Sequence, residues 1–337
     1  MELDLSEDQA FFAQTTRKFL AAESPIATVR ALEASEDGFD RDFWRRGCEL
    51  GWTSMLVSEA DGGGSLSSHG ILDLVLVAEE MGAAVAPGPL VPVSVVASTI
   101  SLHGSAAQKD AWLPGLLSGD LIGAWVTGDG AIVEAGAQAD VFLVTDDSGR
   151  QRLVAADDAT VTPLAGLDLV RRFARVDVPA DAGEAIGGDG AHELHVAVAL
   201  QSAETCGVMQ RVFDMTLEYM GDRYSFGRPI SSYQALKHRM ADNKMYLEAS
   251  HGIASAAARA IAEGAPNAGV FVSAAKSYIG GLATEVIQDC VQLHGGIGVT
   301  WEHDLHLYLR RATVNRAMYG TAVDHRDRIT AALVGVA

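Results

Sequence analysis

Cysteine is scarce in this chain: Cys48, Cys206 and Cys290 are the only three among 337 residues, far apart and without metal-ligand spacing. That excludes a disulfide framework and a cysteine metal centre, and fits small buried apolar residues in a reducing cytosol. Positive charge is also in short supply. There are 25 basic against 44 acidic residues, a net charge of −19, which argues against nucleic-acid binding and for an acidic soluble protein. No uninterrupted apolar run reaches the roughly 18 residues that a bilayer span needs, so no membrane span is expected. The opening Met1-Glu-Leu-Asp-Leu-Ser-Glu-Asp8 has neither a basic n-region nor an apolar h-region, so no signal peptide is expected and the location reads as cytoplasmic. Internal repeats, low-complexity segments and metal-ligand clusters are absent as well. What the chain does have is apolar content, 48% of residues, enough for a large core in two or three domains.

Periodicity divides the chain in three. Up to about 120 it is helical. Residues 6–22 read as an amphipathic helix capped by Ser6, with Ala10, Phe11, Phe12, Phe19 and Leu20 on the apolar side. Helices are also expected at 41–50, 68–82, 93–103 and 105–118, the last bent or shortened by Pro114. The glycines of Ser58-Glu-Ala-Asp-Gly-Gly-Gly-Ser65 mark a loop. From Leu121 the composition turns to strands: 122–126, 139–144, 151–155, 160–162 and 172–178, with a hairpin turn at Asp146-Asp-Ser-Gly149. After the Gly187-Gly-Asp-Gly190 linker, long helical runs return at 191–222, 232–263, 267–293 and 304–318, with a short one at 323–334. This is the pattern of an antiparallel bundle. The small residues of 252–284 permit close helix packing, within the subunit or across an interface.

The stretch Arg223-Tyr-Ser-Phe-Gly-Arg-Pro-Ile230 falls at the end of the first long run. Gly227 can take backbone shapes closed to other residues, Pro229 stops a helix, and Ser231 or Ser232 is the expected N-cap of the next. Arg223 offers a planar fork of donors suited to a pyrophosphate, Ser225 a hydroxyl and Phe226 a flat apolar face. These eight residues alone fit a solvated inter-helix turn equally well.

Two motifs decide more. The first is Arg223–Ile230 with Gln234 eleven residues after the arginine, followed by Met240-Ala-Asp242. The second is Gln288-Asp-Cys-Val-Gln-Leu-His-Gly-Gly-Ile-Gly-Val299, followed by Arg310-Arg311. In this order the chain resembles the acyl-CoA dehydrogenase family along essentially its whole length. The resemblance implies a mostly α fold: an N-terminal α domain (1–120), a shortened β domain (121–186) and a C-terminal four-helix bundle (187–337). It implies FAD, gripped at its adenine and pyrophosphate end by Arg223, Ser225, Phe226, Gln234, Gln292, Gly295 and Gly296, and largely held by a neighbouring subunit. A glycine pair suits that task because no side chain keeps a phosphate away. His294 is expected to pack rather than act as a base.

The resemblance breaks at two places. Val126-Thr-Gly-Asp-Gly-Ala131 stands where the family has a flavin-ring stretch, a second such stretch has no counterpart, and the β section looks too short for the usual sheet. Both family positions for the base that removes the α-proton are also empty of carboxylate. The residue before Gly-Thr is Tyr319, and the residue 26 before the motif arginine is Ala197. Glu193 and His195 lie near Ala197 but off its direction, and Glu204 reads as part of the bundle's polar side. The pattern resembles the shorter, base-lacking subunit of the α2β2 acyl-CoA dehydrogenases of sterol side-chain degradation. There a paralogous partner supplies base and flavin-ring site for an acyl-CoA substrate, with electron-transfer flavoprotein as a candidate acceptor. Two other readings remain: a self-sufficient homo-oligomeric dehydrogenase with a relocated base such as Glu193, and a flavin-free scaffold on the same fold.

Overall fold

The computed structural model describes residues 5–128 and 130–335. The first four residues of the acidic opening, and Asp129 within the Val126–Ala131 stretch, lie outside them.

Six helices come first: α1 (Glu7–Glu23), α2 (Ile26–Ala31), α3 (Arg41–Glu49), α4 (Gly70–Ala84), α5 (Leu90–His103) and α6 (Ala106–Ser118). Ser6 caps α1 as read from sequence, and reciprocal bonds with Gln9 complete a capping box. The apolar face of α1 differs from expectation. Phe12 and Leu20 are buried, but Phe11 is 70% exposed and Ala10 also faces solvent, while Thr16 takes a buried place. Helix α5 starts before the expected residue 93 because Pro92 falls in its first turn, where no intrahelical N–H is required. It is buried nearly all round, and α6 runs unbroken through Pro114. The short α2 was not foreseen.

Seven strands follow in two sheets: β1 (Gly123–Thr127), β2 (Val133–Glu134), β3 (Val141–Thr145), β4 (Gln151–Ala155), β5 (Thr160–Leu164), β6 (Phe173–Asp177) and β7 (Glu184–Ile186). One sheet has the order β1-β3-β4-β7, with β1 and β3 parallel; the other is β2-β6-β5, antiparallel throughout. The section is therefore long enough for two sheets, which share an apolar layer of Ala124, Val126, Phe142, Val144, Val154, Ala174 and Val176. The β3–β4 turn forms as expected, Asp146 Oδ1 accepting from the Ser148 N–H at 2.8 Å.

The bundle consists of α7 (Ala191–Asp222), α8 (Gln234–Ala262), α9 (Ala268–His294), α10 (Leu305–Ala317) and α11 (Ala322–Val334). Helix α7 packs on α4 with backbones in contact. A Cβ on Gly207 would lie 1.9 Å from the Glu79 carbonyl oxygen, and one on Gly82 would lie 1.9 Å from that of Glu204. These glycines lock the N-terminal helices to the bundle. Neither Ser231 nor Ser232 caps α8; both sit in a 3₁₀ turn, and Tyr233 holds the N-cap place without a side-chain bond. Among the described residues, the stretch Ala268–Val299 is long and apolar enough to cross a membrane by composition, contrary to the expectation from unbroken apolar runs, because Lys276, Glu285 and Asp289 interrupt it. More than half of its most apolar part is buried inside the fold.

Candidate cofactor grip and the adjoining cleft

Helix α7 ends one residue before the first motif. The Arg223 N–H caps it by donating to the Tyr219 carbonyl at 2.9 Å, and the Ile230 N–H returns to the Arg223 carbonyl at 2.8 Å. Between them lies a two-stranded hairpin, β8 (Tyr224–Ser225) and β9 (Arg228–Pro229), rather than a simple helix break. Its two-residue turn has Phe226 at φ +50° and Gly227 at φ +77°. Positive φ at both central positions matches the right-handed twist of the flanking strands. Phe226 is 97% exposed at the tip. The hairpin is braced from below: the Tyr233 hydroxyl donates to the Ser225 carbonyl at 2.8 Å, and Arg228 stacks over the Tyr233 ring at 3.9 Å.

Arg223 itself is exposed and, among the described residues, has no ion-pair partner. It does not tie two helices together by a salt bridge. Gln234 opens α8 and Gln292 lies on the last turn of α9, both exposed. Gly295 follows at φ +64°, ψ −143°, a conformation open essentially to glycine alone. Its N–H is spent on the Gln292 carbonyl, but a Cβ on Gly295 or Gly296 would meet nothing within 4 Å. His294 packs as expected: buried, stacked on Tyr219 at 4.4 Å, with Nδ1 on the Cys290 carbonyl at 2.9 Å. Tyr219 joins the two motifs, its hydroxyl donating to the His294 carbonyl at 3.1 Å. The segments that meet here, the end of α7, the hairpin and the stretch after α9, expose the apolar side chains of Leu217, Tyr224, Ile297, Val299 and Trp301, which we refer to as the apolar collar. An unspent guanidinium and an open glycine pair on one end of the bundle fit the phosphate end of a dinucleotide such as FAD.

A cleft of about 600 Å³ opens between the β1–β3–β4 sheet, the start of α7 and the α10–α11 loop. Tyr319 lies in its wall at φ +59°, stacked on Trp125 with ring centres 5.9 Å apart. Its hydroxyl donates to Glu134 Oε2 at 3.3 Å. Burial, and then the Glu134 charge, hold that phenol well above its ordinary pKa, so it stays protonated. Ala197 is fully buried. Glu193 turns away from the cleft into the protein, where Oε1 accepts from the Thr99 hydroxyl at 2.8 Å. His195 is half-buried, and burial lowers its pKa.

Four carboxylates line the cleft, Asp146, Asp147, Asp189 and Glu134, and the buried one is Glu134, on a two-residue strand that sequence reasoning missed. Burial raises its pKa against the pull of Arg171 at 3.4 Å. Arg171 continues to Glu204 at 2.5 Å, Glu204 to Arg311 at 2.8 Å, and Arg311 to Asp168 at 2.5 Å. Asn315 bonds both Arg171 and Glu204. Glu204 therefore belongs to no polar surface. It is buried at the centre of this network, where the two guanidiniums outweigh desolvation and keep its pKa low. The available signal was a lone charge inside an apolar run, as in Ile132-Val-Glu134 and Asp168-Leu-Val-Arg171. Among the described residues, no group of His, Cys, Asp and Glu could hold a metal ion.

The acyl-CoA dehydrogenase N-terminal domain matches residues 6–120, and the acyl-CoA dehydrogenase C-terminal domain matches residues 177–334. Acyl-CoA dehydrogenase IpdE2 of Mycobacterium tuberculosis is 35% identical over 311 residues, covering 91% of each chain. Its namesake from Mycolicibacterium smegmatis is 31% identical over 97% of this chain and 99% of that one. Among solved structures, the ChsE4-ChsE5 complex of M. tuberculosis matches with TM-score 0.87 and 26% identity over 99% of both chains. A structure described as a Tcur3481-Tcur3483 steroid ACAD variant matches with TM-score 0.87 and 25% identity over 98% of both. With both domains matched and relatives aligned nearly end to end, the chain belongs to the acyl-CoA dehydrogenase family.

Proposed function

We propose that the chain is the base-lacking subunit of a heteromeric, FAD-dependent acyl-CoA dehydrogenase that desaturates the α,β-bond of an acyl-CoA. One observation carries this most. The family's two base positions hold a buried Ala197 and a Tyr319 committed to Glu134, while Arg223, without an ion pair among the described residues, and an open glycine pair stand at helix ends joined through Tyr219. In this reading the bound FAD accepts hydride, and this chain's Arg223, Ser225, Phe226, Gln234, Gln292, Gly295 and Gly296 hold its adenine and pyrophosphate end. A paralogous partner covers the apolar collar and supplies the base. The small-residue face of α8 and α9, where Gly252, Gly280 and Gly281 border open space, suits a further subunit contact in a heterotetramer. A cytoplasmic location accords with this reading. We place the domain divisions near residues 120 and 186. A steroid side-chain thioester is the proposed substrate class, by analogy with the steroid ACAD and the paired ChsE4-ChsE5 structures.

Absorbance near 450 nm tests the proposal, measured on the chain purified alone and after co-expression with a paralogue. Little flavin in the first and stoichiometric flavin with turnover in the second is expected. Turnover by the lone chain sinks it. A self-sufficient enzyme has one observation in its favour, the buried Glu134 facing the cleft, since burial makes it a stronger base than a free carboxylate. In that case Glu134→Gln abolishes turnover of the lone chain.

A further inference from the structure

We infer that Tyr219, which belongs to neither motif, is the positioning residue that sets the two halves of the dinucleotide grip against each other. The argument rests on the grip reading above. Arg223 and the Gly295–Gly296 pair are separated by about 70 residues of chain and come from different helices. A bidentate contact to one phosphate and a glycine approach to its neighbour require a fixed spacing between them, since misplacement by roughly 1 Å is enough to lose such contacts.

Tyr219 touches both halves at their roots. Its backbone carbonyl accepts the Arg223 N–H at 2.9 Å, which fixes where the α7 backbone stops and the guanidinium begins. Its hydroxyl donates to the His294 carbonyl at 3.1 Å, in the peptide group that leads into Gly295. That carbonyl falls in the last turn of α9, where helical partners run out and a side-chain donor is needed. Gly295 then departs at φ +64°, ψ −143°, so the orientation of this one peptide decides where the open glycine backbone faces. The ring supports the bond: it stacks on His294 at 4.4 Å and 19°, and His294 in turn meets His303 edge-on at 4.8 Å. The imidazole is anchored by Nδ1 on the Cys290 carbonyl, so ring and hydroxyl have a rigid seat.

The conservative variant isolates the bond. Tyr219→Phe keeps the ring stack and the carbonyl and removes only the hydroxyl. FAD is titrated into the apo-assembly in which the chain is purified, with Arg223→Ala in parallel and melting curves for each variant. Tyr219→Phe is expected to weaken FAD binding several-fold, less than Arg223→Ala, with the melting temperature unchanged; Tyr219→Leu, which also loses the stack, weakens it further. Unchanged affinity in Tyr219→Phe while Arg223→Ala loses affinity overturns the role of Tyr219 and leaves the grip standing. Unchanged affinity in Arg223→Ala overturns the grip itself. A melting temperature that falls in step with affinity in Tyr219→Phe makes the residue a packing element only, and the inference fails.

Discussion

Two kinds of arginine occupy this molecule, and they are spent in opposite ways. Arg171 and Arg311 are buried, and their forks are filled by Glu134, Glu204, Asp168 and Asn315. Arg223 is exposed and, among the described residues, forms no ion pair. A guanidinium whose donors are all satisfied inside the fold has nothing left for a ligand, whereas an unpaired one on a braced hairpin holds its donors in reserve. The buried pair unites three regions, since Glu134 lies on β2, Glu204 on α7 and Arg311 on α10. In the function proposed above, the exposed one is held for an assembly that the lone chain does not form by itself. Stability and affinity should therefore separate cleanly between them.

Arg311→Ala puts the comparison to its hardest test. It strands Asp168 and part of Glu204 in the interior, so a loss of about 3–5 kcal/mol is expected in urea unfolding of the lone chain. A loss below about 1 kcal/mol, the range of surface pairs, would erase the distinction. Arg223→Ala is the mirror image. Charge-assisted contacts contribute roughly 1.5–3 kcal/mol, so FAD affinity of the assembly should fall about 10- to 100-fold while the unfolding curve stays put. Lysine at 223 should recover only part, lacking the fork.

Lys276 sharpens the contrast as a third case, a buried cation with no carboxylate partner among the described residues. It donates to the Gln201 side chain and the Asn315 carbonyl, and burial lowers its pKa to about 7. Between that value and the ordinary lysine pKa of about 10.4, the unfolded chain binds a proton that the folded chain does not. Its contribution is therefore a penalty, full below pH 7 and relieved as pH rises. Subtracting the pH–stability curve of Lys276→Met from that of wild type should leave a positive slope from pH 7 to 10, and a flat difference refutes the assignment. The smallest effect on the lone chain is expected from Phe226→Ala. With its ring 97% exposed, thermal stability should not move, while the assembly measured by sedimentation should weaken.

Long elements were legible because periodicity accumulates with length. The run read as 191–222 is α7 to the residue, α9 shifts by one, and α10 is one residue shorter at each end. Helix α2, with six residues, and strands β2 and β7, with two and three, are too short to show a period at all. The motif residues were found together at one end of the bundle, because Arg223 and Gly295 mark helix ends that sequence can locate. The charge network was invisible for the opposite reason. Glu204 is one of five acids in a 32-residue helix, and its charged partners arrive from a loop and another helix. Glu193 misled similarly, since nothing local says that Thr99 will claim it.

The apolar collar around the hairpin has a consequence for the life of the chain in a cell. In the lone chain Leu217, Tyr224, Ile297, Val299 and Trp301 of the collar, and Phe226 at the hairpin tip, are all exposed to water. A copy left without a mate carries a sticky end permanently on display. In the proposed heteromer, synthesis in step with a mate, or prompt removal of the surplus, is then expected to keep the lone chain from aggregating.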